Sequence, residues 1–328
     1  MAHSFSAERY DKMKFRRCGK SGLLLPAISL GAWETFGGYR GEDIARECLY
    51  RAFDLGITHF DLANNYGTPP GNAEVVCGRI IRDMPRDELI VSSKAGYTMW
   101  PGPYGNWGSR KYLIASCDQS LKRSGLEYFD IFYSHRPDPE TPLEETIGAL
   151  NTLVQQGKAL YAGISSYGGA QYADAVQLVK ERGWAPITIH QPYYNMLGRG
   201  IEGDLLPLTQ RFGTGVIAFC PLASGLLTSK YLSGAMPDDS RAAQKWDEEW
   251  LRKNLPEERR KRLIALNEIA ESRGQTLAQL ALVWILRLPS VTSALIGASS
   301  VKQIEENVAA LDNLELSEDE LRRIGELI

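Results

Sequence analysis

Cysteine is sparse in this chain: Cys18, Cys48, Cys77, Cys117 and Cys220 are the five among 328 residues. They are odd in number, widely scattered and free of any C-x-x-C pair. That argues against a disulfide frame and a zinc site, and no metal is expected. Basic residues are not in excess, 37 against 40 acidic for a net charge of -3, so a nucleic-acid footprint is excluded. No apolar run approaches the ~20 residues of a membrane span; the longest, LAQLALVWIL, ends at Leu286 and meets Arg287 at once. The opening stretch MAHSFSAERYDKMKFRR lacks the apolar core of a secretory signal, and with the scattered thiols it points to a cytoplasmic protein. No G-x-G-x-x-G follows a strand-like run, which disfavours the Rossmann fingerprint.

What is present is a β/α rhythm. At 44% hydrophobic and 23% charged the chain is ordinary for a globular protein. From Ala27 onward short β-rich runs alternate with helical stretches, the pattern of repeated β/α units on a parallel sheet. The strands are expected near 27–31, 57–61, 89–93, 129–134, 160–165, 187–191, 215–220 and 291–296. Eight such units predict a closed (β/α)8 TIM barrel, a fold that commonly exceeds ~250 residues as one domain, so residues 1–328 read as a single domain. An open doubly wound sheet is the competing topology. Before the first strand, KFRRCGKSGLLLP has hairpin character around residues 19–22 and is expected to cap the barrel floor. Capping boxes are expected at Thr141–Glu144 and Ser317–Glu320. Two segments break the rhythm: 96–110, rich in Gly, Pro and aromatics, and about 222–256, long enough to suggest a lid before helix resumes.

Four reactive side chains fall at or just past the ends of three successive strand-like runs: Asp61 and Tyr66 in THFDLANNYG, Lys94 in ELIVSSKAG, and His135 in YFDIFYSHRP. In a β/α barrel those ends share one mouth. A free phenol, pKa ~10, is a weak acid near neutrality. An ammonium ~4 Å away at effective dielectric ~20 interacts with phenolate by ~4 kcal/mol, equivalent to roughly three pKa units. Lys94 is therefore expected to acidify Tyr66, with Asp61 fixing Lys94 and His135 orienting a carbonyl or relaying a proton. The chemistry such a set suits is carbonyl reduction. His59 and His190 lie at positions that suit packing more than chemistry, and His3 lies in the amino-terminal tail.

Residues 56–67 (GITHFDLANNYG), 73–78 (AEVVCG), Ser93-Lys94 and Ser134-His135 resemble the signatures of the aldo-keto reductases, over nearly the whole chain. Within the family the likeness is to the branch of the bacterial L-glyceraldehyde 3-phosphate reductases, through MWPGPYG, YSHR, GKALY and GISSY, and more distantly to the potassium-channel β subunits. The resemblance implies Tyr66 as the acid with Asp61, Lys94 and His135 completing a tetrad. It implies a nicotinamide cofactor, NADPH rather than NADH, with Ser165, Ser166 and Gln191 at the carboxamide and Phe219 against the ring. Serine at 166 replaces the asparagine of many relatives. Trp33, Cys220, Leu222, Ser224 and Gly225 also fall at cofactor-binding positions. Gly297, Ser299, Gln303, Glu306 and Asn307 match the segment that grips the adenosine half. Ala298 and Gln303 stand where many members carry Lys and Arg, so Lys230 and Arg241 of the long loop are the expected cations for the 2'-phosphate.

For the substrate, Trp33, Tyr97, Trp100, Tyr104 and Trp107 are candidates to line the mouth with Tyr66 and His135, and Arg110 or Arg136 to meet an anionic group. The expected activity is NADPH-dependent reduction of small aldehydes, L-glyceraldehyde 3-phosphate or methylglyoxal-like, with homo-oligomers among the relatives. Two other readings are a slow, cofactor-binding regulatory subunit and a barrel aldolase using a Lys94 Schiff base.

Overall fold

The computed structural model describes residues 3–236 and 248–328. Near the amino terminus, β1 (Phe15–Arg17) and β2 (Leu24–Pro26) pair antiparallel around the Gly19 turn, as expected. Eight strands follow: β3 (Ile28–Gly31), β4 (His59–Asp61), β5 (Ile90–Ala95), β6 (Phe129–Ser134), β7 (Ala159–Ser165), β8 (Ile187–Gln191), β9 (Gly215–Phe219) and β10 (Val291–Gly297). They form one closed parallel barrel in the order β10-β3-β4-β5-β6-β7-β8-β9. Because β10 hydrogen-bonds to both β9 and β3, the open doubly wound alternative is excluded.

The barrel wall carries two faces, which explains why its strands do not alternate apolar and polar. Outward, Ile28, Leu30, Phe60, Val91, Phe132 and Ala294 join the large core shared with the surrounding helices. Inward, Ile131, Tyr133, Ile189, Ile217 and Leu295 pack with Cys18, Leu23 and Leu25 of the hairpin. The hairpin closes the amino-terminal end of the barrel: the Cys18 thiol meets the Thr188 carbonyl at 3.4 Å, and the Lys20 amide donates to Gly213 O at 2.9 Å. Gly19 must be glycine there, since at φ 56° an added Cβ would lie 2.1 Å from Gly213 O.

The capping box at Ser317 forms, with Glu320 N donating to Ser317 Oγ at 3.2 Å and Ser317 N to Glu320 Oε2 at 2.7 Å. The one expected at Thr141 does not. Its helix spans Leu143–Gln155 with Pro142 at the N-cap, which has no hydroxyl, and the Thr141 amide is taken by Asp138 Oδ1 at 3.1 Å. In the long segment after β9, short 3-10 turns occupy Ala223–Gly225 and Ser229–Tyr231, and a helix at Glu248–Asn254 begins before the position expected from sequence.

Candidate active site

Asp61 closes β4, Lys94 is the fifth residue of β5, and His135 follows β6, so three adjacent strands deliver them to the carboxyl-terminal mouth. Tyr66 reaches the same point from the loop after β4. The Lys94 ammonium is fully buried and has three acceptors: Asp61 Oδ2 at 2.5 Å, Leu62 O at 2.7 Å and Tyr66 Oη at 3.2 Å. An ammonium has three protons and no lone pair. Tyr66 must therefore accept from Lys94, and its own hydroxyl proton is left to donate elsewhere. The His135 ring stands edge-on to Tyr66, centroids 5.8 Å apart, and edge-on to Tyr97 at 4.7 Å.

Burial, more than any charge, sets the titration of these groups. It lifts the Tyr66 phenol well above its usual value, and the Asp61 carboxylate adds to the rise. This reverses the sequence expectation of an acidified phenol. Tyr66 is thus held protonated. Burial also depresses Lys94, against the opposing pull of Asp61. His135 is pushed well below its ordinary value by burial and then by Lys94 and Arg136, so it is a neutral imidazole. A neutral ring donates one hydrogen bond and accepts one.

Asp61 Oδ1 accepts from Ser92 Oγ at 2.6 Å and from Gln191 Nε2 at 3.3 Å. Gln191 ends β8 beside its register partner Ser165 at the end of β7, whose hydroxyl donates to the Gln191 carbonyl at 2.8 Å. Ser166 is exposed in a left-handed conformation, φ 62°. Phe219 ends β9, half-buried beside Tyr193, and Cys220, Leu222, Ser224 and Gly225 follow it around the first 3-10 turn. Ser165 and Gln191 offer neutral hydrogen-bonding groups suited to a carboxamide, and Phe219 offers a ring face suited to an aromatic heterocycle. Gln303 Oε1 accepts from both the amide and hydroxyl of Ser299 at 2.9 and 3.3 Å, folding the turn after Gly297. Asn307 is buried on the helix Val301–Val308 that also carries Gln303, while Glu306 is exposed and 3.7 Å from Lys302. Lys230 is exposed in the second 3-10 turn, and Arg241 lies outside the described residues.

The candidate substrate wall divides. Trp33, Tyr97, Tyr104 and Trp107 are exposed, whereas Trp100 is half-buried against Tyr112 at 5.3 Å. Arg110 turns away to the neighbouring helix, donating to Thr152 Oγ1 at 2.9 Å, which removes it as an anion contact. Arg136 is stacked against Trp107 and Tyr97 at 3.6 and 4.2 Å from their ring centroids and donates through Nε to Gly96 O at 2.9 Å and through Nη2 to Asn106 Oδ1 at 3.0 Å, so Nη1 is the nitrogen it has left for an anion.

Ser92 and the backbone were not among the expected site residues, and His59 was expected to pack rather than to meet the site, where it lies 3.0 Å from Ser92 Oγ. Ser92 and His59 lie two residues before Lys94 and Asp61, hence on the same strand faces, and that period of two was the available signal. Among the described residues, every non-glycine with positive φ falls in a loop leaving a barrel strand: Glu34, Trp107, Ser166, Cys220, Ala223 and Ser224. Such backbone is costly and gathers at binding sites.

A closed parallel barrel with this buried phenol, ammonium, carboxylate and imidazole at its mouth is the scaffold of a barrel oxidoreductase. The chain belongs to the aldo/keto reductase family, whose model matches residues 27–328. Its relatives include the L-glyceraldehyde 3-phosphate reductases of Escherichia coli O157:H7 and of Escherichia coli strain K12, each 56% identical over 98% of this chain and 94% of theirs. A probable voltage-gated potassium channel subunit beta of Arabidopsis thaliana is 37% identical over 93% of each chain. The protein is an oxidoreductase that reduces aldehydes with a nicotinamide dinucleotide. Among the described residues no helix is long and apolar enough to cross a membrane, and no cluster of His, Cys, Asp and Glu is placed to hold a metal ion.

Proposed function

We propose that the protein reduces short aldehydes, with L-glyceraldehyde 3-phosphate foremost and methylglyoxal-like aldehydes beside it, using NADPH. The observation that carries this reading is the placement of the Lys94 ammonium on three acceptors, which leaves the Tyr66 proton free for a carbonyl oxygen. The nicotinamide cofactor supplies the hydride when bound, and Ser165, Gln191 and Phe219 are the residues to hold its reactive end. Tyr66 donates the proton, Lys94 stabilises the phenolate left behind, Asp61 holds Lys94, and neutral His135 orients the carbonyl oxygen. Trp33, Tyr97 and Trp107 offer exposed aromatic surface at the mouth, and Arg136, stacked on the last two, offers an anionic substituent a cation one residue from His135.

The preference for NADPH rests on Lys230, an exposed cation on the loop after β9. The 56% identity over 98% of the chain favours the phosphorylated triose. An aldehyde panel with NADPH and NADH, followed at the nicotinamide absorbance, tests the proposal. The expected result is kcat/KM above about 10⁴ M⁻¹s⁻¹ for L-glyceraldehyde 3-phosphate with NADPH, oxidised one-to-one with aldehyde loss. Values far lower on every aldehyde would contradict it and favour a regulatory subunit.

A further inference from the structure

The interior of a β/α barrel is ordinarily filled by branched apolar side chains. Strands β6, β8 and β9 obey this with Ile131, Ile189 and Ile217. Four consecutive strands on the other side, β10, β3, β4 and β5, also place polar side chains there: Ser293, Ser29, His59 and Ser92, all with zero exposure. Their polar atoms form one continuous chain. Ser293 Oγ lies 2.7 Å from Ser29 Oγ, Ser29 Oγ 2.9 Å from His59 Nδ1, His59 Nε2 3.0 Å from Ser92 Oγ, and Ser92 Oγ 2.6 Å from Asp61 Oδ1.

Donor chemistry fixes the direction of every link. The Asp61 carboxylate, paired with Lys94, only accepts, so Ser92 spends its one proton there. Ser92 must then accept from His59, which places the imidazole proton on Nε2. A neutral ring has a single N–H, so Nδ1 accepts from Ser29, and Ser29 in turn accepts from Ser293. Burial pushes the His59 imidazole down to about 4, with Asp61 opposing and Lys94 assisting, which keeps it neutral. All the dipoles therefore point toward Asp61. The chain ends inside the protein, so it is an orienting network and not a proton route to solvent.

We propose that Ser92 and His59 are positioning residues of the reductase site, locking Asp61 Oδ1 from beneath so that Oδ2 holds the Lys94 ammonium against Tyr66. The proposal rests on the reading of Asp61, Lys94 and Tyr66 as the reacting set. Ser92→Ala is expected to lower kcat about tenfold while KM for the aldehyde and the Kd of NADPH change less than about threefold. Ser92→Thr, which keeps the hydroxyl, should restore kcat. A folded Ser92→Ala with wild-type kcat overturns the proposal, as does a loss that Ser92→Thr fails to rescue.

Should Ser92→Ala not fold, the wild-type protein gives the answer. Nitrogen-15 NMR of the intact chain is expected to find His59 neutral and protonated on Nε2 at neutral pH. An Nδ1–H tautomer or a cationic ring overturns the proposal. Undiminished turnover in Tyr66→Phe would overturn the catalytic reading together with the role built on it, whereas the Ser92 and tautomer results can fail while Tyr66 stands.

Discussion

At the residue scale, the Lys94–Asp61 pair is wholly buried, so removing one partner leaves an uncompensated charge. Lys94→Met is expected to cost about 3–5 kcal/mol of stability. The double variant Lys94→Met/Asp61→Asn should cost clearly less than the two single changes together, as read from urea unfolding. Strict additivity would show that the pair is not coupled. The gathering of Asp61, Tyr66, Lys94 and His135 was legible because each lies at or just past the end of a strand-like run. Their wiring was not legible. The Asp61–Ser92 contact joins residues 31 apart through the β4–β5 register, and nothing local in the sequence reports a register. Nor was the titration of Tyr66, since the gain from a nearby ammonium was foreseeable but the larger cost of burial depends on packing.

At the scale of elements, the strands were legible to within two residues because eight β/α repeats gave the pattern many chances to register, and the hairpin was legible from its turn. The helix at Glu248–Asn254 was missed because seven residues span barely two turns, too few for a period of 3.6 to show. The Thr141 cap failed because Asp138, three residues upstream, captures the amide first. The hairpin also carries a prediction. Leu25 has no exposure and packs inside the barrel floor, at the opposite end from the mouth. Leu25→Ala should lower unfolding free energy by about 2–5 kcal/mol with kcat/KM unchanged. A fall in kcat/KM at full stability would place the hairpin in the chemistry instead.

At the scale of the whole molecule, three buried imidazoles make stability pH-dependent. His59 is pushed to about 4, His190 to about 3 and His135 well below its ordinary value, burial being the main cause in each. A depressed imidazole leaves the unfolded chain as the better proton acceptor. The stability these rings contribute is therefore complete above the unfolded value of ~6.5 and is lost as pH falls toward the folded values. Between about pH 6.5 and 5 the three together should remove roughly 5 kcal/mol, seen as a falling urea midpoint. A midpoint that stays flat until the carboxylates titrate would contradict this. On the proposed function the enzyme as a whole turns on one proton, that of the Tyr66 hydroxyl, which the Lys94 ammonium leaves free. Single-turnover reduction of a short aldehyde by Tyr66→Phe pre-loaded with NADPH tests this most directly. Cofactor binding close to wild type is expected, with a hydride-transfer step slowed about 10²–10⁴-fold, and a rate equal to wild type would overturn the role of this proton.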